Sequence, residues 1–263
     1  PIPVLGFGTY KVAPEDAYDA VRRALDVGYR HIDTAQMYGN EAQVGAALDA
    51  SGIARDQIFL TTKVDNSNHE PERAAASITR SLEELRTDYV DLLLVHWPLP
   101  TLYGGDVTLP WPALEDAFNA GGARAIGLSN YEREHVDAVR AVATVTPHVL
   151  QVEAHPFMPN ADLCAYAHGL GMVFEAWSPL ARGRAVTDPT LIDIGAQLGV
   201  TLDFKAFDAS AVCFAEQEIL DPDGIRVWSK KRLIVEDVMD EEIDVPAPQL
   251  WWPNGYGVQP LYL

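Results

Sequence analysis

The sequence predicts an α/β fold built on a parallel β-sheet that is either open or closed into a barrel. Two observations predict it. Apolar strand-like runs alternate with amphipathic helix-like stretches through the first 200 residues. The strand-like runs also begin about every 25 to 35 residues, which is the length of a strand–helix unit. Beyond about residue 200 the pattern changes to strands alone, so we expect a β-rich C-terminal segment.

The predicted strands are short runs rich in Val, Ile, Leu and Phe, with the near-continuous apolar character of strands that are buried on both faces. In chain order they are Tyr29–Asp33, Ile58–Thr62, Val90–His96, Ala125–Ser129, Val149–Glu153 and Met172–Trp177. Six strands of this kind favour a sheet covered by helices.

The predicted helices show start signals followed by apolar residues at helical spacing. Pro14-Glu15-Asp16 opens the first, because Pro and acidic residues are favoured in a first turn. Its apolar face comprises Ala17, Val21, Ala24 and Leu25. The others are Glu41–Ala50, Pro71–Leu85, Pro112–Asn119, Glu132–Ala141, Ala161–His168 and Asp188–Leu198.

The C-terminal segment has a different pattern. Ser210–Ile219 and Ile225–Val235 are typical of strands, and Asp221-Pro222-Asp223-Gly224 between them is a strong turn signal. These features predict an antiparallel hairpin. We therefore divide the chain into residues 1–200, the β/α portion, and residues 201–263, the β-rich segment.

Composition and net charge limit the kinds of molecule that the protein is expected to bind. The chain has 19 Lys and Arg against 38 Asp and Glu, a formal net charge of −19. A protein this acidic repels phosphate backbones, so we expect no nucleic-acid partner. The sequence contains no run of about 18 apolar residues, so we expect no membrane-spanning helix. Two cysteines form no disulfide framework or C-x-x-C site, which favours a reducing, cytoplasmic setting.

Four ionisable residues lie at or just beyond the ends of the first three predicted strands. They are Asp33, Tyr38, Lys63 and His96. The C-terminal ends of parallel strands meet at one face of a β/α barrel, so we expect these side chains to converge. A free Tyr is a poor acid at neutral pH, and a nearby ammonium lowers its pKa. Such a group can protonate a carbonyl oxygen while hydride arrives from a cofactor.

Each of these residues also has an ordinary structural interpretation. Asp33 alone is typical of a helix cap or an ion pair, and Lys63 and His96 alone are ordinary strand-end residues. Only their joint position favours a catalytic group. The other histidines show no metal-ligand spacing, and the chemistry needs no metal, so no metal site is predicted.

Seven stretches make residues 1 to about 200 resemble the aldo-keto reductase family, closely its bacterial members that act on diketo-gluconate and small aldehydes. They occur in family order and at family spacing. They are Leu5-Gly6-Phe7-Gly8-Thr9-Tyr10-Lys11, Gly28-Tyr29-Arg30-His31-Ile32-Asp33-Thr34-Ala35, Tyr38-Gly39-Asn40-Glu41, Thr61-Thr62-Lys63, Leu94-Val95-His96-Trp97-Pro98, Ala125-Ile126-Gly127-Leu128-Ser129-Asn130 and Trp177-Ser178-Pro179-Leu180-Ala181-Arg182-Gly183.

The resemblance implies a function and a role for each residue. The activity is NADPH-dependent reduction of an aldehyde or ketone, with a small carbonyl substrate. Tyr38 is the implied general acid, Lys63 and Asp33 its tuning pair, and His96 the substrate-orienting group. The implied cofactor-binding residues are Gly8, Thr9, Ser129, Asn130, Gln151, Trp177, Ser178 and Leu180. Tyr10 and Trp97 are implied to line the substrate pocket.

The sequence departs from the family pattern after Thr201. The family's further strand, and the Pro-Lys-Ser segment with its downstream Arg that grips the 2′-phosphate of NADP, have no match in the sequence. The resemblance thus implies a TIM-type barrel truncated after six strand–helix units. Open sheet edges expose unpaired backbone groups, so we expect either a monomer or an oligomer formed through the open edge.

The tail resembles a different family. Residues from about 205 to 263, and above all Trp251-Trp252-Pro253-Asn254-Gly255-Tyr256-Gly257, are similar to an immunoglobulin-like sandwich domain of β-mannosidases and β-galactosidases of glycoside hydrolase family 2. The chain is therefore interpreted as a possible chimera. The alternative function is a non-catalytic or impaired fusion protein that carries this sandwich fragment.

Overall fold

A computed structural model describes residues 1–198, 213–220 and 226–234 of the 263-residue chain. The chain divides into two compact units, Pro1–Pro179 and Leu180–Leu263. The first unit holds a parallel sheet and six helices. The predicted boundary near residue 200 lies outside the described residues and stays a prediction.

The first unit contains one sheet of seven parallel strands that follow one another in chain order. They are β1 (Phe7–Gly8), β2 (His31–Asp33), β3 (Phe59–Val64), β4 (Leu92–Val95), β5 (Ile126–Ser129), β6 (Val149–Glu153) and β7 (Val173–Trp177). The α/β prediction is confirmed. The predicted number of six strands is wrong by one, because β1 is only two residues long and shows no apolar run.

Helices follow the strands in regular alternation. They are α1 (Pro14–Asp26), α2 (Glu41–Ala50), α3 (Pro71–Glu84), α4 (Trp111–Asn119), α5 (Arg133–Val142), α6 (Ala161–Gly169) and, in the second unit, α7 (Pro189–Leu198). Pro14 and Pro71 occupy first helical positions, where the missing N–H costs no hydrogen bond. The apolar faces of the helices in the first unit join the outer face of the sheet in one large core.

The sheet is strongly curled. In a flat sheet β2 and β6 would lie roughly 19 Å apart, since neighbouring strands are about 4.8 Å apart. Yet Gln151 of β6 donates a 2.7 Å hydrogen bond to Asp33 of β2. His31 of β2 likewise lies 3.8 Å from Glu175 of β7. The inward-facing side chains therefore meet across the concave face, as in a barrel.

The second unit contains an antiparallel hairpin. Strands β8 (Cys213–Leu220) and β9 (Arg226–Ile234) pair as a two-stranded sheet. This confirms the predicted hairpin. The rest of the sandwich-like resemblance lies outside the described residues. Among the described helices, none is long and apolar enough to cross a bilayer.

Candidate active site

The predicted site residues stand at one edge of the sheet, because each parallel strand delivers its last residues there. Asp33 ends β2, Lys63 is the penultimate residue of β3, and His96 directly follows β4. Ser129 and Trp177 end β5 and β7. This is the edge at which β/α barrels place their reacting groups.

Asp33 and Lys63 form an ion pair at the centre of this edge. Lys63 is only 1% exposed, and its ammonium donates to the Asp33 carboxylate and to the Thr34 carbonyl, the latter at 3.0 Å. Burial by itself lowers the pKa of Lys63. The negative charge of Asp33 is the largest effect that opposes burial, and the pKa is raised above its usual value. Lys63 is therefore a permanent cation at neutral pH.

Tyr38 lies in a 3₁₀ turn, Gln36–Tyr38, that follows β2. Gly39 ends the turn with φ at 67°, a conformation that favours glycine. The turn places the Tyr38 ring over Lys63, with the ammonium nitrogen 5.4 Å from the ring centre. The ring also contacts His96, with ring centres 5.6 Å apart. The four predicted ionisable residues are thus in one cluster.

Two opposing effects set the pKa of Tyr38. Burial raises it above its usual value of 10, and Lys63 lowers it, as expected for a nearby ammonium, but by less than burial raises it. The physical reason is that a buried phenol loses the water that would solvate its phenolate. The hydroxyl keeps its proton at neutral pH, which a proton donor requires.

His96 is buried and neutral. It is 6% exposed, and burial together with the Lys63 charge lowers its pKa to about 4. Within the described residues its Nδ1 atom has no hydrogen-bond partner. The backbone carbonyl of His96 accepts a 2.9 Å hydrogen bond from Asn130, which ties the residue to the next strand end.

Two amide residues, Asn130 directly after β5 and Gln151 in the middle of β6, extend the same network. Asn130 takes the left-handed conformation, with φ at 64°, and donates to Ser129 Oγ at 3.1 Å. Its side-chain oxygen accepts from the indole N–H of Trp177 at 2.9 Å. Gln151 reaches Asp33 as described above. Ser129, Asn130, Gln151 and Trp177 are thus connected to the ionisable cluster.

The two predicted cofactor-binding residues at and after β1, Gly8 and Thr9, differ in solvent exposure. Gly8 is exposed at the end of β1, whereas Thr9 is completely buried and hydrogen-bonds Thr34 and Asn40. Thr9 therefore supports the turn before Tyr38 and offers no exposed surface to a ligand.

The two predicted pocket aromatics are exposed near the cluster. Tyr10 is 57% exposed, with its ring 5.3 Å from that of Tyr38, and Trp97 is 39% exposed directly after His96. Ser178 has φ at 51° after β7. Leu180 is 40% exposed and begins the second unit.

Comparison with known proteins identifies the family. The sequence profile described as the aldo/keto reductase family matches residues 4–192. The chain belongs to the aldo/keto reductase family. Aldo-keto reductase family 1 member A1 of Xenopus tropicalis is 39% identical over 218 residues, which cover 73% of this chain and 66% of that protein. The chain therefore spans slightly less than two thirds of that relative.

Solved structures show the same fold. An aldo/keto reductase of Brucella melitensis is 40% identical with a TM-score of 0.70, and 75% of each chain is covered. A protein assigned as a 2,5-diketo-D-gluconic acid reductase B is 39% identical with a TM-score of 0.71, covering 75% of this chain and 69% of its own. A variant of Gox0644 in complex with NADPH is 31% identical with a TM-score of 0.70, covering 75% and 71%.

The residues of this aldo/keto reductase fit the nicotinamide end of such a cofactor. A carboxamide needs both donors and acceptors, and the side chains of Ser129, Asn130 and Gln151, on and directly after the neighbouring strands β5 and β6, contain both. Trp177 presents a flat ring whose orientation is fixed by its bond to Asn130. The segment that follows residue 198 is outside the described residues, so the fit concerns this end of the cofactor only.

Sequence reasoning missed one buried group in this aldo/keto reductase. His31, Asp33 and Glu175 bring possible ligand atoms within 4.8 Å of one another. Burial and the Asp33 charge raise the pKa of Glu175 to about 7. Lys63 already supplies a cation to Asp33, so the geometry does not require a metal. The one signal in the sequence is an acidic residue in the middle of the strand Val173–Trp177.

Proposed function

We propose that this aldo/keto reductase catalyses the NADPH-dependent reduction of a small aldehyde or ketone to an alcohol. The observation that carries the proposal is the Lys63–Asp33 ion pair beneath the Tyr38 ring, beside a neutral His96. Family membership and the NADPH-bound structure of a relative support the choice of cofactor.

Tyr38 donates the proton. The carbonyl oxygen gains negative charge as hydride reaches the carbon, and the Tyr38 hydroxyl transfers its proton to that oxygen. The phenolate that remains is stabilised by the adjacent Lys63 ammonium. Asp33 holds the ammonium in place and keeps it charged. A phenol whose pKa lies above 10 carries its proton at neutral pH, so the proton is present at the start of each cycle.

His96 orients the substrate. Its imidazole is neutral above about pH 4, so it can donate a hydrogen bond to the carbonyl oxygen without competing as an acid. A fixed donor aimed at a developing oxyanion costs no reorganisation during the reaction. Tyr10 and Trp97 flank the opening and supply apolar contact for the substrate.

Polar side chains of β5 and β6 are proposed to hold the cofactor. NADPH supplies the hydride when it is bound. Ser129, Asn130 and Gln151 would grip the carboxamide and thereby fix which ring face points to the substrate, while Trp177 would stack beneath the ring. Gly8, Ser178 and Leu180 are proposed to line the rest of the path. Thr9 is proposed to support this path indirectly, through its hydrogen bond to Asn40.

The direct test follows NADPH oxidation at 340 nm with a reactive aldehyde. Tyr38→Phe removes the proton and leaves the ring, so we expect kcat to fall by about 10²–10⁴-fold. Tyr18→Phe, on the half-exposed surface of α1, is the matched control and retains full activity. Activity that survives in Tyr38→Phe would remove the assigned acid. Absence of activity in the wild type would favour the non-catalytic alternative.

Cofactor binding is tested separately by Trp fluorescence. Titration with NADPH is expected to quench emission with micromolar affinity, and Trp177→Phe to remove most of the quenching. Trp111, which is buried beneath the outer helices, provides a control as Trp111→Phe. A parallel titration with NADH measures how much the 2′-phosphate of NADPH contributes to the binding affinity. No quenching by either nucleotide contradicts the cofactor assignment.

A further inference from the structure

A buried polar network lies behind the sheet, on the side away from the Asp33–Lys63 pair. Its members are Gln36, Glu41, Thr62, Ser77 and Ser81, and we call it the turn clamp. Glu41, Thr62, Ser77 and Ser81 are at most 3% exposed. The network connects the segment around Tyr38 to β3 and α3.

Gln36 makes four hydrogen bonds with its side chain. Its amide nitrogen donates to Ser77 at 3.1 Å and to Ser81 at 3.0 Å, both on α3. Its oxygen accepts from the Asp65 backbone N–H at 2.8 Å and from Asn68 at 3.0 Å. An amide has two donor hydrogens and two acceptor lone pairs, so every one is used. Gln36 begins the same 3₁₀ turn that ends at Tyr38.

Glu41 anchors the chain on the C-terminal side of Tyr38. Its carboxylate accepts a 2.5 Å hydrogen bond from Thr62 and a 3.2 Å bond from Ser81. Thr62 precedes Lys63 in β3, and successive strand residues face opposite sides of the sheet. Glu41 therefore holds β3 at the residue next to the ammonium that Tyr38 must approach.

We propose that Gln36 and Glu41 are positioning residues that set the distance between the Tyr38 phenol and the Lys63 ammonium. The inference rests on the proposed function, because it concerns the geometry of that proton donor. Three residues of a 3₁₀ turn have little rigidity of their own. The clamp fixes the turn at both ends, two residues before Tyr38 and three residues after it.

The hydrogen bonds within the turn clamp link its two ends to each other. Ser81 accepts from Gln36 and donates to Glu41, so one hydroxyl couples both ends of the turn. The close approach of α2 to α3 completes the arrangement. A Cβ on Gly45 would lie 2.4 Å from the Glu84 carbonyl oxygen, so only glycine permits this packing. No member of the clamp is proposed to touch the substrate.

The test compares Gln36→Leu and Glu41→Leu with the conservative Glu41→Gln. A misplacement of about 1 Å can cost on the order of 100-fold in rate, so we expect the Leu variants to lose about that much in kcat, with the KM for NADPH changed by less than about threefold. Glu41→Gln keeps the shape and a hydrogen-bonding head and is expected to recover most of kcat. Gln43→Leu, also on α2 but outside the clamp, is the matched control.

A double-mutant cycle shows whether the effect passes through Tyr38. Combined with Tyr38→Phe, Gln36→Leu is expected to cost less than about threefold further, because interacting residues are non-additive. A full additional loss would mean a general structural effect and overturn the inference. Wild-type kcat in a folded Gln36→Leu variant would overturn it too, and this variant serves if Glu41→Leu fails to fold.

The phenol itself gives a readout that is independent of activity. Tyrosine labelled at Cζ is titrated by NMR, with Tyr38→Phe used to assign the signal. Burial raises the Tyr38 pKa and Lys63 lowers it in the wild type, so a displaced ring in Gln36→Leu is expected to titrate at a pH different from that of the wild type. An unchanged pKa overturns the inference. A shifted pKa in a protein without reductase activity leaves the positioning role intact and refutes the proposed function alone.

Discussion

The two ends of the parallel sheet each carry an aspartate in an ion pair, buried in the case of Asp91 and partly buried in the case of Asp33, and they differ in how fully their polar atoms are satisfied. At the N-terminal end Asp91 pairs with Arg55 at 2.9 Å and Arg124 at 3.2 Å, and it accepts the Leu60 N–H at 3.0 Å. The Tyr89 ring lies between both guanidinium groups, 4.2 and 3.9 Å from its centre. This cluster has two cations for one anion.

At the C-terminal end Asp33 has one cation, Lys63, and buried atoms there lack partners. Within the described residues these include Nδ1 of His96 and Oε2 of Glu175. Leaving a buried polar atom unpaired costs about 1–3 kcal/mol. The Asp91 cluster is therefore expected to serve stability, while the other end is the one at which β/α barrels place their reacting groups.

Lys63→Met is expected to give the largest losses of stability and activity, and it tests the contrast between the two ends of the sheet. Removing the ammonium leaves the partly buried Asp33 carboxylate with the Gln151 hydrogen bond but without its cation, and we expect this to cost up to about 3–5 kcal/mol of unfolding free energy. It also removes the charge that stabilises the phenolate, so we expect kcat to fall by at least about 10²-fold. Chemical denaturation and NADPH oxidation measure the two losses. A stable and active variant would contradict both roles.

Asp91→Asn is expected to affect stability alone. The amide keeps the shape and an acceptor for the Leu60 N–H but loses both ion pairs. Arg124 is about half exposed and Arg55 about one quarter exposed, so solvent compensates in part. We expect a loss of about 1–3 kcal/mol in unfolding free energy. The kcat of the folded variant stays within about twofold, and a large fall in kcat would break the separation between the two ends.

The effect of Glu41→Gln on stability depends on pH and approaches zero at low pH. Burial raises the pKa of Glu41 from 4.5 to about 7, so the folded state holds this proton more tightly than the unfolded state does. The resulting stabilisation is present below pH 4.5 and is lost as the pH rises through about 7. Glutamine has no proton to lose, so the variant gains relative to wild type across this window, by at most about 3 kcal/mol.

The measurement for that variant is urea denaturation at pH 5 and pH 8. The free-energy difference between Glu41→Gln and wild type is expected to be more favourable at pH 8. Glu72→Gln, on the exposed side of α3, is the control and should show no such change. A difference independent of pH would contradict the assignment of this titration to Glu41.

Much of the fold was predictable because its signals are local. The start of α1 at Pro14, the bounds of α2 and the start of α3 at Pro71 agree with the structure. Strand β1 was missed because Phe7–Gly8 pairs with β2 through backbone hydrogen bonds that need no apolar alternation. Its two residues therefore carry no periodic signal.

The site was predictable to the extent that strand ends determine it. Asp33, Lys63 and His96 follow from the register of a parallel sheet, and Tyr38 from the turn after β2. Glu175 could not be paired with His31 from sequence, since only the curl of the sheet brings β7 to β2. The net direction of the Tyr38 pKa also depends on burial, which sequence spacing does not measure.

The sequence by itself determined the alternation of strands and helices and the four ionisable residues at the strand ends, since hydrophobic periodicity and helix-start residues act over a few positions. Only the tertiary structure decided the curl that joins Gln151 to Asp33 and the burial that raises the pKa of Tyr38 and lowers that of His96. It also decided the clamp behind the Tyr38 turn. These features depend on contacts between residues far apart in the chain, and the free energies of buried charges depend on what surrounds them in space.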